Sequence, residues 1–184
     1  VYRASVDFSG TQGTKNWTYR DSAGSLFTYS STTSEWKGNE KYLLIWNRGM
    51  HPGVNRDVVR RWTSPGLGTA VITGTISDGD TTCGDGVIAT IRKNGGSLWQ
   101  KSIANGEGQS NINVSQFFLT QGDTLDFVVN KGGTDYCDST NFDPIITFSP
   151  STPTPTCANG VQYCTTQSSC TTQGYFWVNS TCQT

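Results

Sequence analysis

Gly86-Val87-Ile88-Ala89-Thr90-Ile91-Arg92-Lys93-Asn94-Gly95-Gly96-Ser97-Leu98-Trp99-Gln100-Lys101 reads as two strands and the turn between them. Val, Ile and Thr are stiff at χ1 and pack well on a pleated surface, so 86–92 is a strand. Asn94-Gly95 supplies two residues that accept positive φ, as a type I′ turn requires, and 97–101 returns. The same composition continues outward. Ala70-Val71-Ile72-Thr73-Gly74-Thr75-Ile76 is another β-branched run, and Tyr42-Leu43-Leu44-Ile45-Trp46 reads as a buried one. Shorter strand signals follow at 111–114, 124–129 and 144–148. Turn signals recur about every 8–12 residues, and no segment carries a capped apolar stripe of helical period. Residues 115–119 offer room for one short turn. The pattern predicts an all-β chain, an antiparallel β-sandwich of jelly-roll type.

With 184 residues the chain can bury one full core and carry a small appendage. Net charge is −1 and only 15% of residues are charged, so no global field draws nucleic acid or an anionic membrane. No apolar run approaches the roughly 18 residues that span a bilayer. Neither nucleic acid nor membrane insertion is therefore expected. No signal peptide is visible at Val1, and the chain is expected to start at a processed end or to come from a longer protein.

Six cysteines all follow residue 80, without a C-x-x-C pair, and the single His51 lies far away. This spacing fits disulfides better than zinc, and hence a secreted or cell-surface location. Ser149-Pro150-Ser151-Thr152-Pro153-Thr154-Pro155-Thr156 is a Pro/Thr spacer, extended over roughly 25 Å at about 3.1 Å per residue. It divides a domain at 1–148 from a tail at 157–184 holding Cys157, Cys164, Cys170 and Cys182. So short a tail needs two bridges to hold a shape, and three pairings are open. The sequons at Asn16, Asn113 and Asn179 are acceptors only in a glycosylating host.

Cys83 and Cys137 lie in two acidic segments, 77–86 and 133–143, which together hold six of the eleven aspartates. A Cys83–Cys137 bond would staple the two loops side by side. Carboxylates so concentrated either hold a cation or repel one another. Asp78, Asp80, Asp85, Asp135, Asp138 and Asp143 offer the oxygens calcium prefers, although no EF-hand spacing is present. The alternative is turn chemistry, in which each Asp caps its own loop.

A second constellation runs from Trp46 to Trp62. Sugars are held by stacking on aromatic faces and by planar hydrogen-bond pairs, and Trp46, Arg48, His51, Asn55 and Arg56 supply both. Alternation through 58–62 instead puts Val58, Arg60 and Trp62 on one face, with arginine free to pair with Asp57 or Asp126. Trp36 stands among polar neighbours in Thr33-Ser34-Glu35-Trp36-Lys37-Gly38-Asn39 and is expected to be an exposed stacking platform, whereas Trp17 and Trp62 are expected in the core.

Several pieces follow one another along the chain: Trp62-Thr63-Ser64-Pro65, Gly74, Asp78, Gly84-Asp85-Gly86-Val87, Asn94-Gly95-Gly96-Ser97-Leu98, Gln121-Gly122-Asp123-Thr124-Leu125-Asp126-Phe127 and Asp138-Ser139-Thr140-Asn141-Phe142-Asp143-Pro144. Phe8-Ser9-Gly10-Thr11-Gln12-Gly13 with Trp17 and Tyr19 opens the series. This order resembles non-catalytic jelly-roll modules, similar to carbohydrate-binding modules, of secreted bacterial carbohydrate-active enzymes and surface proteins. It covers most of 2–148 and implies a β-sandwich, secretion and recognition of a polysaccharide or glycan, without naming the sugar. The cysteine tail lies outside it.

The leading expectation is glycan binding without catalysis. One rival is an adhesin domain or filament subunit whose loops and tail contact neighbouring domains or like subunits. A glycoside hydrolase or polysaccharide lyase is the minor rival, because the acids sit in Gly-rich turns and there is one histidine and no nucleophile elbow.

Overall fold

The computed structural model describes residues 1–151 and the backbone of Phe176–Val178 and Thr181–Gln183. Two compact units divide the chain, Val1–Pro150 and Ser151–Thr184.

The first unit is built from strands in the order β1 (Tyr2–Arg3), β2 (Trp17–Asp21), β3 (Thr28–Ser30), β4 (Glu35–Lys37), β5 (Leu44–Trp46), β6 (Gly49–His51), β7 (Val58–Thr63), β8 (Gly68–Asp78), β9 (Val87–Lys93), β10 (Gly96–Ile103), β11 (Ser110–Leu119), β12 (Thr124–Asn130) and β13 (Thr140–Pro150). A 3-10 turn at Thr14–Asn16 precedes β2. The second unit contributes the hairpin β14 (Phe176–Val178) and β15 (Thr181–Gln183). Cys157, Cys164 and Cys170 lie outside the described residues, as does the side chain of Cys182, and so does the expected pairing among them.

One sheet runs β11-β8-β13-β6-β5-β4-β3, with β1 also on β13, and the other runs β10-β9-β12-β7-β2. The pairs are antiparallel and the sheets sandwich a core that includes Trp17, Trp62, Ile72, Ile91, Phe127 and Phe142. The expected β-sandwich is therefore present. The Asn94-Gly95 turn has φ of 49° and 87°, the positive values its type demands.

Three expectations are corrected. Residues 115–119 form no helical turn; they continue β11, with a register shift between Val114 and Phe117. Residues 42–46 are not a buried run, because Leu43 and Ile45 point into the core while Tyr42 is exposed and Leu44 and Trp46 are half-buried. Ser149 and Pro150 pair with Thr69 and Gly68 on β8, so the first two spacer residues belong to a strand.

Register sets the position of the acidic loops. β8 and β13 pair along their full lengths, with Thr140 opposite Asp78. In the other sheet, β9 and β12 pair with Asn130 opposite Ile88. The connections β8–β9 and β12–β13 thus both change sheets at the same end of the sandwich. A bond between Cys83 and Cys137, 54 residues apart, ties them together.

Candidate functional site

The outer face of β4–β5–β6 and the tied loops enclose a cleft of about 570 Å³, within the usual range for small-ligand sites. Its wall comprises Glu35 from β4; Tyr42, Leu44 and Trp46 on and before β5; His51 from β6; and Asp80, Asp135, Tyr136, Cys137 and Ser139 from the loops. Strand alternation explains the first group. Trp36 and Ile45 face the core, which turns Glu35, Leu44 and Trp46 outward. Tyr42 and Tyr136 are 48% and 68% exposed, so each keeps an aromatic face open to solvent.

Trp46 is held from beneath. A Cβ on Gly49 would stand 2.6 Å from the indole and 2.5 Å from the Thr140 carbonyl, so the missing side chain makes room for both. The buried Arg60 donates from Nη2 to the Trp46 carbonyl at 2.7 Å and reaches the Asn47 and Gly49 carbonyls at 3.5 Å. Burial lowers its pKa to about 10. Val58, Arg60 and Trp62 share the core face, while Arg61 forms a two-point pair with Asp126 at 2.6 and 2.8 Å.

His51 is buried, with Nδ1 2.6 Å from the Pro52 carbonyl. A carbonyl only accepts, so this nitrogen carries the proton. The Tyr42 ring lies 5.7 Å away, and Lys41 sits over the other side chain of the pair at 4.8 Å from the Tyr42 centroid.

Of the residues expected to meet a ligand, only Trp46 and His51 line the cleft. Arg48 and Asn55 are exposed elsewhere, and so is Arg56. The Arg48 carbonyl accepts from the Phe142 amide, the Asn55 amide donates to Glu40, and the Arg56 carbonyl accepts from the Gly53 amide. These contacts shape the loop. Trp36 is 3% exposed, which corrects its expected role as an open platform. It stacks on Tyr19 at 4.8 Å between centroids and donates its indole N–H to the Ser9 carbonyl. Sequence reasoning missed Glu35, Tyr42 and Tyr136. Period-two alternation from Leu43 and Ile45 would have turned Tyr42 outward, and Tyr136 is the aromatic next to the bridging Cys137.

The six aspartates expected to form one set are divided. Asp143 lies within β13, opposite Thr75, and accepts four hydrogen bonds, two from Arg3 and two from Ser5. Burial pushes its carboxyl up, but these donors outweigh burial and hold it below the usual range. Asp78 accepts from the Asp80 and Gly106 amides, and Asp80 from the Thr82 hydroxyl. Asp85 accepts from the hydroxyl and amide of Thr134, which lower its pKa. The Asp80 amide and Thr82 hydroxyl contacts are turn chemistry, whereas Gly106 and Thr134 reach Asp78 and Asp85 from other loops.

Asp138 differs. It is 2% exposed, and neither carboxylate oxygen has a hydrogen-bond partner. Burial first, then the fields of Asp85, Asp135 and Asp78, raise its pKa to about 7. Among the described residues, the one trio of acidic, His or Cys ligand atoms within 4.8 Å of each other is Asp80, Cys83 and Cys137. Both sulfurs there are bonded to one another.

No family model matches this sequence, and no curated protein does. Solved structures do align with it. Tandem family 51 carbohydrate-binding modules of the family 98 glycoside hydrolase from Streptococcus pneumoniae SP3-BS71 align at 13% identity and a TM-score of 0.42 over 61% of this chain and 36% of that one. The family 51 module of a family 95 glycoside hydrolase from Clostridium perfringens, solved with methyl-galactose, aligns at 11% and 0.39 over 77% and 92%. A Podospora anserina β-(1,4)-mannanase joining a family 26 hydrolase to a family 35 module aligns at 10% and 0.40 over 88% and 35%. The neighbours named here are, or contain, carbohydrate-binding modules. The chain spans about a third of the first and third of these structures. Among the described residues, no helix is long and apolar enough to cross a membrane.

Proposed function

We propose that the chain binds a saccharide, without turning it over, in the cleft between β4–β5–β6 and the tied loops. One observation carries this reading: Tyr42, Trp46 and Tyr136 line the same cleft as the carboxylates of Glu35, Asp80 and Asp135. Aromatic faces take the C–H face of a pyranose, and carboxylates accept paired hydroxyl protons. Among the described residues the lining holds no arginine or lysine, so neutral sugars fit this chemistry and uronates are repelled by like charge. The disulfide supports an extracellular setting, and we assign the protein to the secreted or cell-surface class on that basis.

The test is a glycan array followed by calorimetric titration of the retained sugars. Trp46→Ala and Tyr136→Ala are each expected to lower affinity about tenfold, equivalent to about 1.4 kcal/mol, with circular dichroism unchanged. Retention of no neutral glycan by the wild-type protein would overturn the reading. Release of new reducing ends from a bound polysaccharide would overturn its non-catalytic part.

A further inference from the structure

We propose that the tied loops hold one hard divalent cation, calcium by chemistry, at Asp138 behind the cleft wall. This site is independent of the glycan reading.

A buried carboxylate needs a partner, since an unpaired charge in a low-dielectric setting is among the costliest arrangements in a fold. Asp138 has none: both of its oxygens are shielded from solvent and unbonded. Three of the four charges that act on it are negative, from Asp85, Asp135 and Asp78, and the one positive charge, Lys131, acts least. Among the described residues, no basic side chain bonds to either Asp138 oxygen, so the carboxylate lacks a direct counter-charge.

Oxygens gather at the same place. A Cβ on Gly84 would stand 2.6 Å from the Tyr136 carbonyl, 3.4 Å from the Cys137 carbonyl and 3.5 Å from Asp138 Oδ1. The absent side chain thus leaves a space bordered by two carbonyls and one carboxylate. Cys137 has a φ of 62°. Calcium takes six to eight oxygens from just such mixtures of carboxylates, carbonyls and water, and it tolerates irregular geometry. Magnesium demands a near-ideal octahedron and keeps its waters, so it fits less well. Asp85 and Asp135 are the carboxylates whose charges act most on Asp138.

The full chain, treated with chelator and dialysed, is titrated with calcium chloride in a calorimeter. Saturation at one ion per chain is expected, with weaker uptake of magnesium. At calcium a hundredfold above Kd, the melting temperature should exceed that in chelator by about 5 °C or more. Unfolding on chelation that calcium reverses supports the site equally. Asp138→Asn should abolish uptake; if that variant fails to fold, Asp85→Asn should weaken uptake at least tenfold. The proposal is overturned if folded, chelated protein takes up no calcium and melts identically with and without it. It is also overturned if a folded Asp138→Asn variant, or failing that a folded Asp85→Asn variant, binds calcium as the wild type does.

Discussion

Arg60 spends its charge on main-chain oxygens, and the hairpin turn carrying Trp46 is fastened to the core by that choice. Replacing it with Met keeps the volume but leaves the Trp46 carbonyl without its donor. A buried acceptor so abandoned costs about 2 kcal/mol, so Arg60→Met should lower the urea midpoint by a corresponding amount at unchanged m-value. Asp143 makes the opposite use of a buried charge, matching its carboxylate to four donors. Asp143→Asn should cost about 2 kcal/mol at pH 7. Because the folded-state pKa is depressed, this contribution is complete above the ordinary carboxylate pKa near 4 and is lost as pH falls through the folded value. Urea denaturation at pH 7 and again near pH 2 should therefore show the gap between variant and wild type narrowing in acid.

At the scale of elements, β6 depends on a residue that has no side chain. Gly49→Ala drives a methyl into the Thr140 carbonyl and the Trp46 indole. Overpacking of this kind costs about 1–3 kcal/mol, and displacement of the indole should also reduce sugar affinity; melting temperature and calorimetry read the two effects separately. Legibility in the sequence follows from how local each cause is. The strands and turn of the β9–β10 hairpin were readable, since two strand runs and an Asn-Gly turn lie within sixteen residues, but the register shift between Ser97 and Trp99 was not. Trp36 was misread because its polar sequence neighbours say nothing of Tyr19, a partner on a different strand of the other sheet. Arg48 and Arg56 follow Trp46 by two and ten residues and still miss the cleft, because Arg48 sits in the β5–β6 turn and Arg56 in the loop after β6, off the strand face that carries Trp46. Asp78, Asp80 and Asp85 accept hydrogen bonds from donors both near and far in sequence, whereas the isolation of Asp138 arises only when two loops distant in sequence meet.

For the whole molecule, the Cys83–Cys137 bond closes a loop that contains β9 to β12, so it restrains most of one sheet in the unfolded chain. In the chain-entropy description a closure of 54 residues is worth about 4 kcal/mol. The double variant Cys83→Ser with Cys137→Ser should lose up to that amount in urea denaturation. It should also be cut faster by protease within 79–86 or 131–139, and lose more sugar affinity than stability alone accounts for. β13 sets one further relation. It starts at Thr140 beside this bridge and runs to Pro150 opposite Gly68, a path of about 30 Å at the rise of an extended chain. The polypeptide consequently leaves the sandwich at the pole remote from the tied loops.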